Sequence, residues 1–223
     1  MHEFDGLPIR ERPVVLFDFD GTVADTQPAI MRAVRPVLSN HGYELSEEQM
    51  LPLIGPPLEI GIRLVTDMGE QDAQVVAAEY RALFERTVTP ADIPLFPHTV
   101  DLLDALAAFG KRLAVATSRV EEPTCKLLDS LGVTQFEAVA GRIPGFRETK
   151  AESIAAALDA LGATSADAVM VGDRMYDVQG AAELGIPCIG IYSGAAVPGE
   201  LEEAGAVAVC KDMLEVGRVL GVW

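Results

Sequence analysis

In "VVLFDFDGTVADT", residues 14–26, four apolar residues run straight into Asp18 and Asp20, which are followed by Gly21 and Thr22. Two carboxylates at the end of a buried strand make either a polar turn, with Gly21 supplying a backbone shape other residues resist, or an anionic site at a sheet edge. Further groups of the same kind recur along the chain. "LAVA" ends in Thr117 and Ser118, "AVMVG" ends in Asp173 with Asp177 close behind, and Lys150 opens "KAESI". Clustered carboxylates repel one another, and the remedies are raised pKa values or a hard cation. Mg²⁺ suits such a set, because it takes oxygen ligands and keeps room for water and a substrate phosphate. In that setting Asp18 could attack phosphorus, with Asp20 as general acid and then general base. Lys150, Thr117 and the backbone N–H groups around Gly21 and Ser118 would hold the phosphoryl oxygens. The bland readings are a helix cap for Thr117 in "TSRVEEP", a solvated first-turn residue for Lys150, and a helix cap or flap residue for Asp25. Against the second stands the scarcity of lysine, which occurs only as Lys111, Lys126, Lys150 and Lys211.

Five apolar runs must position these groups: 14–17, 113–116, 136–141, 168–172 and 188–192. Each is too continuous for a strand with one wet face and suits a parallel strand buried on both sides. The stretches between them, such as "AESIAAALDALG" and "MYDVQGAAELG", carry helical spacing. Alternation of strand and helix predicts an α/β fold with a doubly wound parallel sheet, whose ligands sit beyond the carboxyl ends of the strands.

Roughly ninety residues separate the first run from the second, where a βαβ unit needs ~30. The excess predicts an inserted, mostly helical domain over residues 28–94, with residues 1–27 and 95–223 forming the sheet domain. "PAIMRAVRPVLSNHG" opens at Pro28 and should kink or split at Pro36. "SEEQMLPLIG" starts at a cap-like Ser46 with Glu48, and "EQDAQVVAAEYRALFERTV" has a helical stripe. "IGPPL" (54–58) reads as a rigid turn, with Gly55 and Pro56 as candidates to cover the site and touch the leaving group. Arg32, Arg35, Arg63, Arg81 and Arg86 are the insertion's cations, and it holds no lysine, hence no amine for a Schiff base.

With 223 residues, 49% of them apolar, the chain can fill a core. A net charge of -17 argues against nucleic acid or an anionic membrane surface as partner. A small phosphorylated metabolite stays compatible if a metal inverts the local field. Cys125, Cys188 and Cys210 show no pairing or metal-ligand spacing and read as buried thiols of a reducing compartment. The polar "MHEFDGLPIRERP" lacks a signal-peptide run, so a cytoplasmic location is expected. Oligomeric state is left open.

"DFDGT", the Thr117 that ends "LAVAT", the isolated Lys150 and "GDRMYD" resemble, in order, the four motifs of the haloacid dehalogenase superfamily. The insertion resembles its helical cap, and "DGTVADT", "IGPPL" and "ATSR" are most similar to the phosphoglycolate phosphatase branch. The resemblance implies that Asp18 is nucleophile and metal ligand, and that Asp20 is the acid/base that also offers its backbone carbonyl to Mg²⁺. Asp173 is implied as a further ligand, Asp177 as its support or substitute, and Thr117 and Lys150 as phosphoryl contacts. Two positions depart from the pattern: Arg119 stands where relatives often carry Lys, and Lys150 lies in "ETKAE" rather than before a proline.

The expected activity is Mg²⁺-dependent hydrolysis of a small, phosphoglycolate-like phosphomonoester through an aspartyl-phosphate on Asp18. Phosphomutase, 5'-nucleotidase and pyrophosphatase activities remain on the same scaffold. Dehalogenation has no use for Asp20 or a carboxylate cluster. A receiver-like signalling module needs neither the Asp-x-Asp pair nor the insertion, and a degenerate binding protein would not keep every polar group.

Overall fold

A computed structural model describes residues 6–223 of the chain. Its centre is a parallel sheet of six strands: β1 (Val14–Phe17), β2 (Arg112–Val120), β3 (Ala138–Arg142), β4 (Ala168–Gly172), β5 (Cys188–Ile191) and β6 (Ala208–Cys210). The strand order is β3-β2-β1-β4-β5-β6, so the winding reverses between β1 and β4. Val14 sits beside Arg112 on one flank and Ala168 on the other. The period-2 alternation of a strand divides β1 between two cores. Val15 and Phe17 face α5 (Thr99–Ala108), α6 (Glu121–Leu131) and α10 (Met213–Leu220) through Leu102, Leu128 and Val216. Val14 and Leu16 face α7 (Lys150–Leu161), α8 (Met175–Glu183) and α9 (Glu200–Ala204) through Ile154, Val178 and Leu201. The doubly wound parallel sheet read from the sequence is therefore the fold.

The segment between β1 and α5 folds as α1 (Gln27–Asn40), α2 (Glu47–Met50), α3 (Leu58–Val65) and α4 (Glu70–Thr87), with a core of its own that includes Val34, Leu38, Ile62 and Val76. Several details differ from expectation. Helix α1 continues through Pro36, because Val34 and Val37 on either side are buried in the same core. The box at Ser46 closes with Gln49, not Glu48: the Gln49 N–H donates to Ser46 Oγ at 3.3 Å and Ser46 N–H to Gln49 Oε1 at 2.9 Å. Three residues is the spacing that box requires. Pro52 follows in a 3₁₀ turn, Leu51–Leu53, that ends this short helix. Strand β6 is a sixth strand that the apolar runs did not reveal. Cys188 and Cys210 are buried while Cys125 on α6 is half-buried, and all three are free thiols. Among the described residues no helix is long and apolar enough to cross a membrane.

Leu106 of α5 is fully buried against the sheet. Leu106→Ala should destabilise the protein by about 2–5 kcal/mol, the range for cavity-forming truncations, read as a lower urea midpoint with an unchanged slope.

Candidate active site

The carboxyl ends of β1 and β4 meet at the sheet's switch point, where an open α/β sheet leaves a crevice for ligands. Asp18 follows β1 and donates its backbone N–H to the Val171 carbonyl of β4 at 2.9 Å, which ties the two strand ends together. Asp173 follows β4, and Asp177 lies in the first turn of α8. One carboxylate oxygen from each of Asp18, Asp173 and Asp177 lies within 4.8 Å of the others, and all three residues are buried.

Lys150, the first residue of α7, reaches into this cluster. Its Nζ lies 2.7 Å from Asp18 Oδ1, 2.7 Å from Asp177 Oδ1 and 3.1 Å from the Ala116 carbonyl. Burial alone would lower its pKa, but Asp177 and Asp18 outweigh that and raise it, so the ammonium stays charged. One cation does not neutralise three acids. Burial pushes the Asp18 carboxyl up to about 7, against the pull of Lys150 and with a further push from Asp177 and Asp20. Asp173 is likewise raised, first by burial and then by Asp177 and Asp18.

Close backbone approach holds the acids in place. Gly21 has φ +82°, and a Cβ there would collide with the Asp173 carboxylate. Thr22 donates its hydroxyl to Asp173 Oδ1 at 3.2 Å, and the Ala195 N–H donates to Oδ2 at 3.1 Å. The Thr22 hydroxyl is thus committed to an acid rather than turned toward a substrate. Gly194 and Ala195, which follow β5, were not among the residues picked from the sequence. Their signal was available, since the "SGA" after the fifth apolar run also sits at a strand's carboxyl end.

Asp20 stands apart from the three. Its carboxylate accepts from Arg119 Nη1 at 3.1 Å and faces a cavity of about 360 Å³ between the sheet and the helical segment. Thr117, Ser118, Gly55 and Pro56 line that cavity with it. Thr117 caps no helix: the N-cap of α6 is Val120, without a side-chain bond. Residues 117–119 instead occupy a stretch of β2 where the pairing with β3 shifts register between Ala116 and Val120, which turns Thr117 and Arg119 toward the site. Asp25 is not a cap either, since α1 starts behind Thr26.

Of the helical segment's arginines, Arg81 reaches the cavity, while Arg32 and Arg35 pair with Asp92 and Glu47. Arg142 at the end of β3, missed in the sequence, donates from Nη1 and Nη2 to both Glu59 oxygens of α3 at 2.8 and 3.0 Å. Arg81 pairs with the same Glu59. On the other side, Arg174 donates to the Ile54 carbonyl and, through Nε, to Glu200 at 2.8 Å. These contacts clasp the helical segment onto the sheet beside the site.

Three oxygen-only donors, with an excess of negative charge that Lys150 does not cancel, fit a hard divalent cation. Comparison with known proteins agrees with this geometry. A family model described as haloacid dehalogenase-like hydrolase matches residues 15–191. The tyrosine-protein kinase PtkA of Mycobacterium tuberculosis is 35% identical over 179 residues, covering 79% of this chain, and this chain spans 60% of that relative's length. A 5'-nucleotidase of Pseudomonas aeruginosa is 31% identical over 211 residues, covering 93% of this chain and 95% of the relative. The crystal structure of a predicted phosphatase from Clostridium acetobutylicum superposes with a TM-score of 0.87 at 30% identity, covering 93% of this chain and 97% of that one. The chain belongs to the haloacid dehalogenase-like hydrolase family.

Proposed function

We propose that this protein is a Mg²⁺-dependent phosphatase of small phosphomonoesters that works through an aspartyl-phosphate on Asp18. The observation that carries the reading is the pairing of a buried Asp18, flanked by Lys150, Asp173 and Asp177, with an Asp20 that faces the cavity from two residues further on. Asp18 Oδ1 is held by Lys150, and Oδ2 accepts no hydrogen bond from a described residue, which leaves it for attack. Asp18 forms a bond to phosphorus as the ester P–O bond breaks, and Asp20 gives its proton to the leaving oxygen. Asp20, now a carboxylate, takes a proton from water as that water attacks the phosphoryl group, and phosphate leaves with Asp18 restored. Arg119, bonded to Asp20, orients this carboxylate between the two steps.

Asp18, Asp173 and Asp177 would hold Mg²⁺, together with the backbone carbonyl of Asp20. The ion would supply charge neutralisation that lets an anionic nucleophile approach an anionic ester. Thr117, Ser118 and the backbone at Gly21 would take the phosphoryl oxygens, with Lys150 fixing Asp18 at their centre. Residues 28–94 would act as a lid over residues 1–27 and 95–223, with Gly55 and Pro56 at the site's mouth and the Arg142–Glu59 pair as the clasp.

With Mg²⁺ present, the wild type should release phosphate from a panel of phosphomonoesters. EDTA should abolish release, and Asp18→Asn should lower kcat on the order of a thousandfold or more, as expected for a lost nucleophile. An Asp18→Asn variant that stays fully active would overturn the assignment.

Metal loading should also be visible in stability. In the metal-free protein Asp18 binds its proton up to about pH 7, whereas an unfolded aspartate releases it near its ordinary value of 3.8. Over that window the native state holds more protons than the unfolded state, so this group makes metal-free stability fall as pH rises from about 4 to 7. Mg²⁺ competes with the same proton. Its stabilising shift in Tm should therefore grow from pH 5 to pH 7.5 and disappear in Asp173→Asn.

A further inference from the structure

The cavity beside Asp20 is larger than a phosphoryl group and a two-carbon alcohol need. Its volume, about 360 Å³, falls in the ~300–1,000 Å³ range of pockets that enclose whole small-molecule ligands. Its walls away from the strand ends are apolar and aromatic: Tyr80, Phe84 and Val88 near the end of α4, Ile93 beyond it, and Val120 and Leu127 at α6. The Tyr80 and Phe84 rings lie 5.5 Å apart at 47°, and the Arg119 guanidinium sits 4.7 Å over Phe84.

The cations lining this space each have a carboxylate partner. Arg81 and Arg142 share Glu59, Arg119 holds Asp20, and Lys126 pairs with Glu122 at 2.8 Å. A carboxylate on the leaving group would compete with the protein carboxylates of these pairs and would meet Asp20 and Glu85, which already face the cavity. The Tyr80 hydroxyl is in the opposite condition. Tyr80 is only 8% exposed, lines the cavity, and hydrogen-bonds to no described residue. Burial raises its pKa above the usual phenol value, so it remains a neutral donor and acceptor. The residue lines the cavity and its oxygen, without a partner among the described residues, is free to bond a ligand heteroatom.

We propose that this cavity receives a planar, heteroatom-bearing ring on the leaving group. The preferred substrate is then a phosphomonoester of a nucleoside or substituted phenol, with its ring against Tyr80 and Phe84 and a heteroatom bonded to the Tyr80 hydroxyl. Phosphoglycolate, small and doubly anionic at its two ends, is a poor fit to the same walls. The inference rests on the phosphatase reading for the position of the phosphoryl group, but it is testable without turnover.

The experiment is calorimetric titration of the Asp18→Asn protein with Mg²⁺ present, using adenosine 5'-monophosphate, 4-nitrophenyl phosphate and phosphoglycolate. At least one ring ester should bind tenfold or more tightly than phosphoglycolate, and the preferred one identifies the nucleoside or aryl source. In the same background Phe84→Ala should weaken the ring ester about tenfold through the lost aromatic contact. Tyr80→Phe should weaken it about threefold to tenfold through the lost hydrogen bond. Should Phe84→Ala not fold, as judged by thermal unfolding, Phe84→Leu makes the same comparison with the volume kept. Phosphoglycolate binding as tightly as both ring esters, or equal weakening of all three esters by Phe84→Ala, would overturn the inference. Ring-selective binding in a protein whose wild type releases no phosphate would support the cavity assignment and sink the phosphatase reading instead.

Discussion

The site is organised by a charge imbalance inside the fold. Three buried carboxylates, Asp18, Asp173 and Asp177, converge on one point, and the Lys150 ammonium, 7% exposed, is the cation placed among them. An isolated buried charge costs several kcal/mol, so the cluster is tolerable only with close pairing and complete hydrogen bonding. The surroundings are shaped for that purpose. A Cβ at Gly180 of α8 would come within 2.7 Å of Lys150 Cγ, so only glycine lets the lysine stem pass between α7 and α8. A Cβ at Gly172 would strike the Asp177 carboxyl, which folds back over the end of β4 to accept the Arg174 N–H at 3.0 Å. Burial first, and the neighbouring carboxylates after it, push Asp18 and Asp173 upward, and a divalent cation is the natural complement to such a set.

The sheet delivers these groups because it is wound in two directions. Strands β1 and β4 are neighbours in space, with partners such as Val14 and Ala168 lying 154 residues apart in sequence, so their carboxyl ends bring together the acids of two distant motifs. This much was legible in the amino-acid sequence, since a strand buried on both faces writes itself as a continuous apolar run and the residue after it faces the crevice. Strand β6 was not legible: "AVC" is three residues long at the sheet's edge, too short to stand out from a helical stretch. Nor was the continuity of α1 through Pro36, where burial of Val34 and Val37 overrides a local breaker.

The interface between sheet and helical segment was the least legible part. Glu59 and Arg142 meet across 83 residues and Asp20 and Arg119 across 99, and no local spacing marks either pair. The sequence shows only that Glu59 is a first-turn acid of a short helix and that Arg142 ends an apolar run. Packing makes them partners: both are largely buried, Glu59 already pairs with Arg81 of its own segment, and the two-pronged bond from Arg142 forms only when the helical segment lies on the sheet. The clasp is therefore better read as a device that selects one docked geometry than as a source of stability.

The same matching of charges bears on how a phosphate ester reaches the site. A chain of net charge -17 repels a phosphate dianion at long range, although at physiological ionic strength the repulsion fades beyond a Debye length of about 8 Å. Attraction must then be generated within a few ångströms of Asp18, by the Lys150 ammonium, the backbone N–H groups of the strand ends and a divalent cation. The cations lining the outer cavity, Arg81, Arg119, Lys126 and Arg142, each already pair with a carboxylate, so a second anionic group would have to compete for them. Selectivity at the leaving-group end then rests on shape, apolar contact and the Tyr80 hydroxyl, which bonds to no described residue. On the proposed reading this division separates two tasks: charge at the strand ends would serve the phosphoryl group, and packing under the helical segment would serve whatever it is attached to.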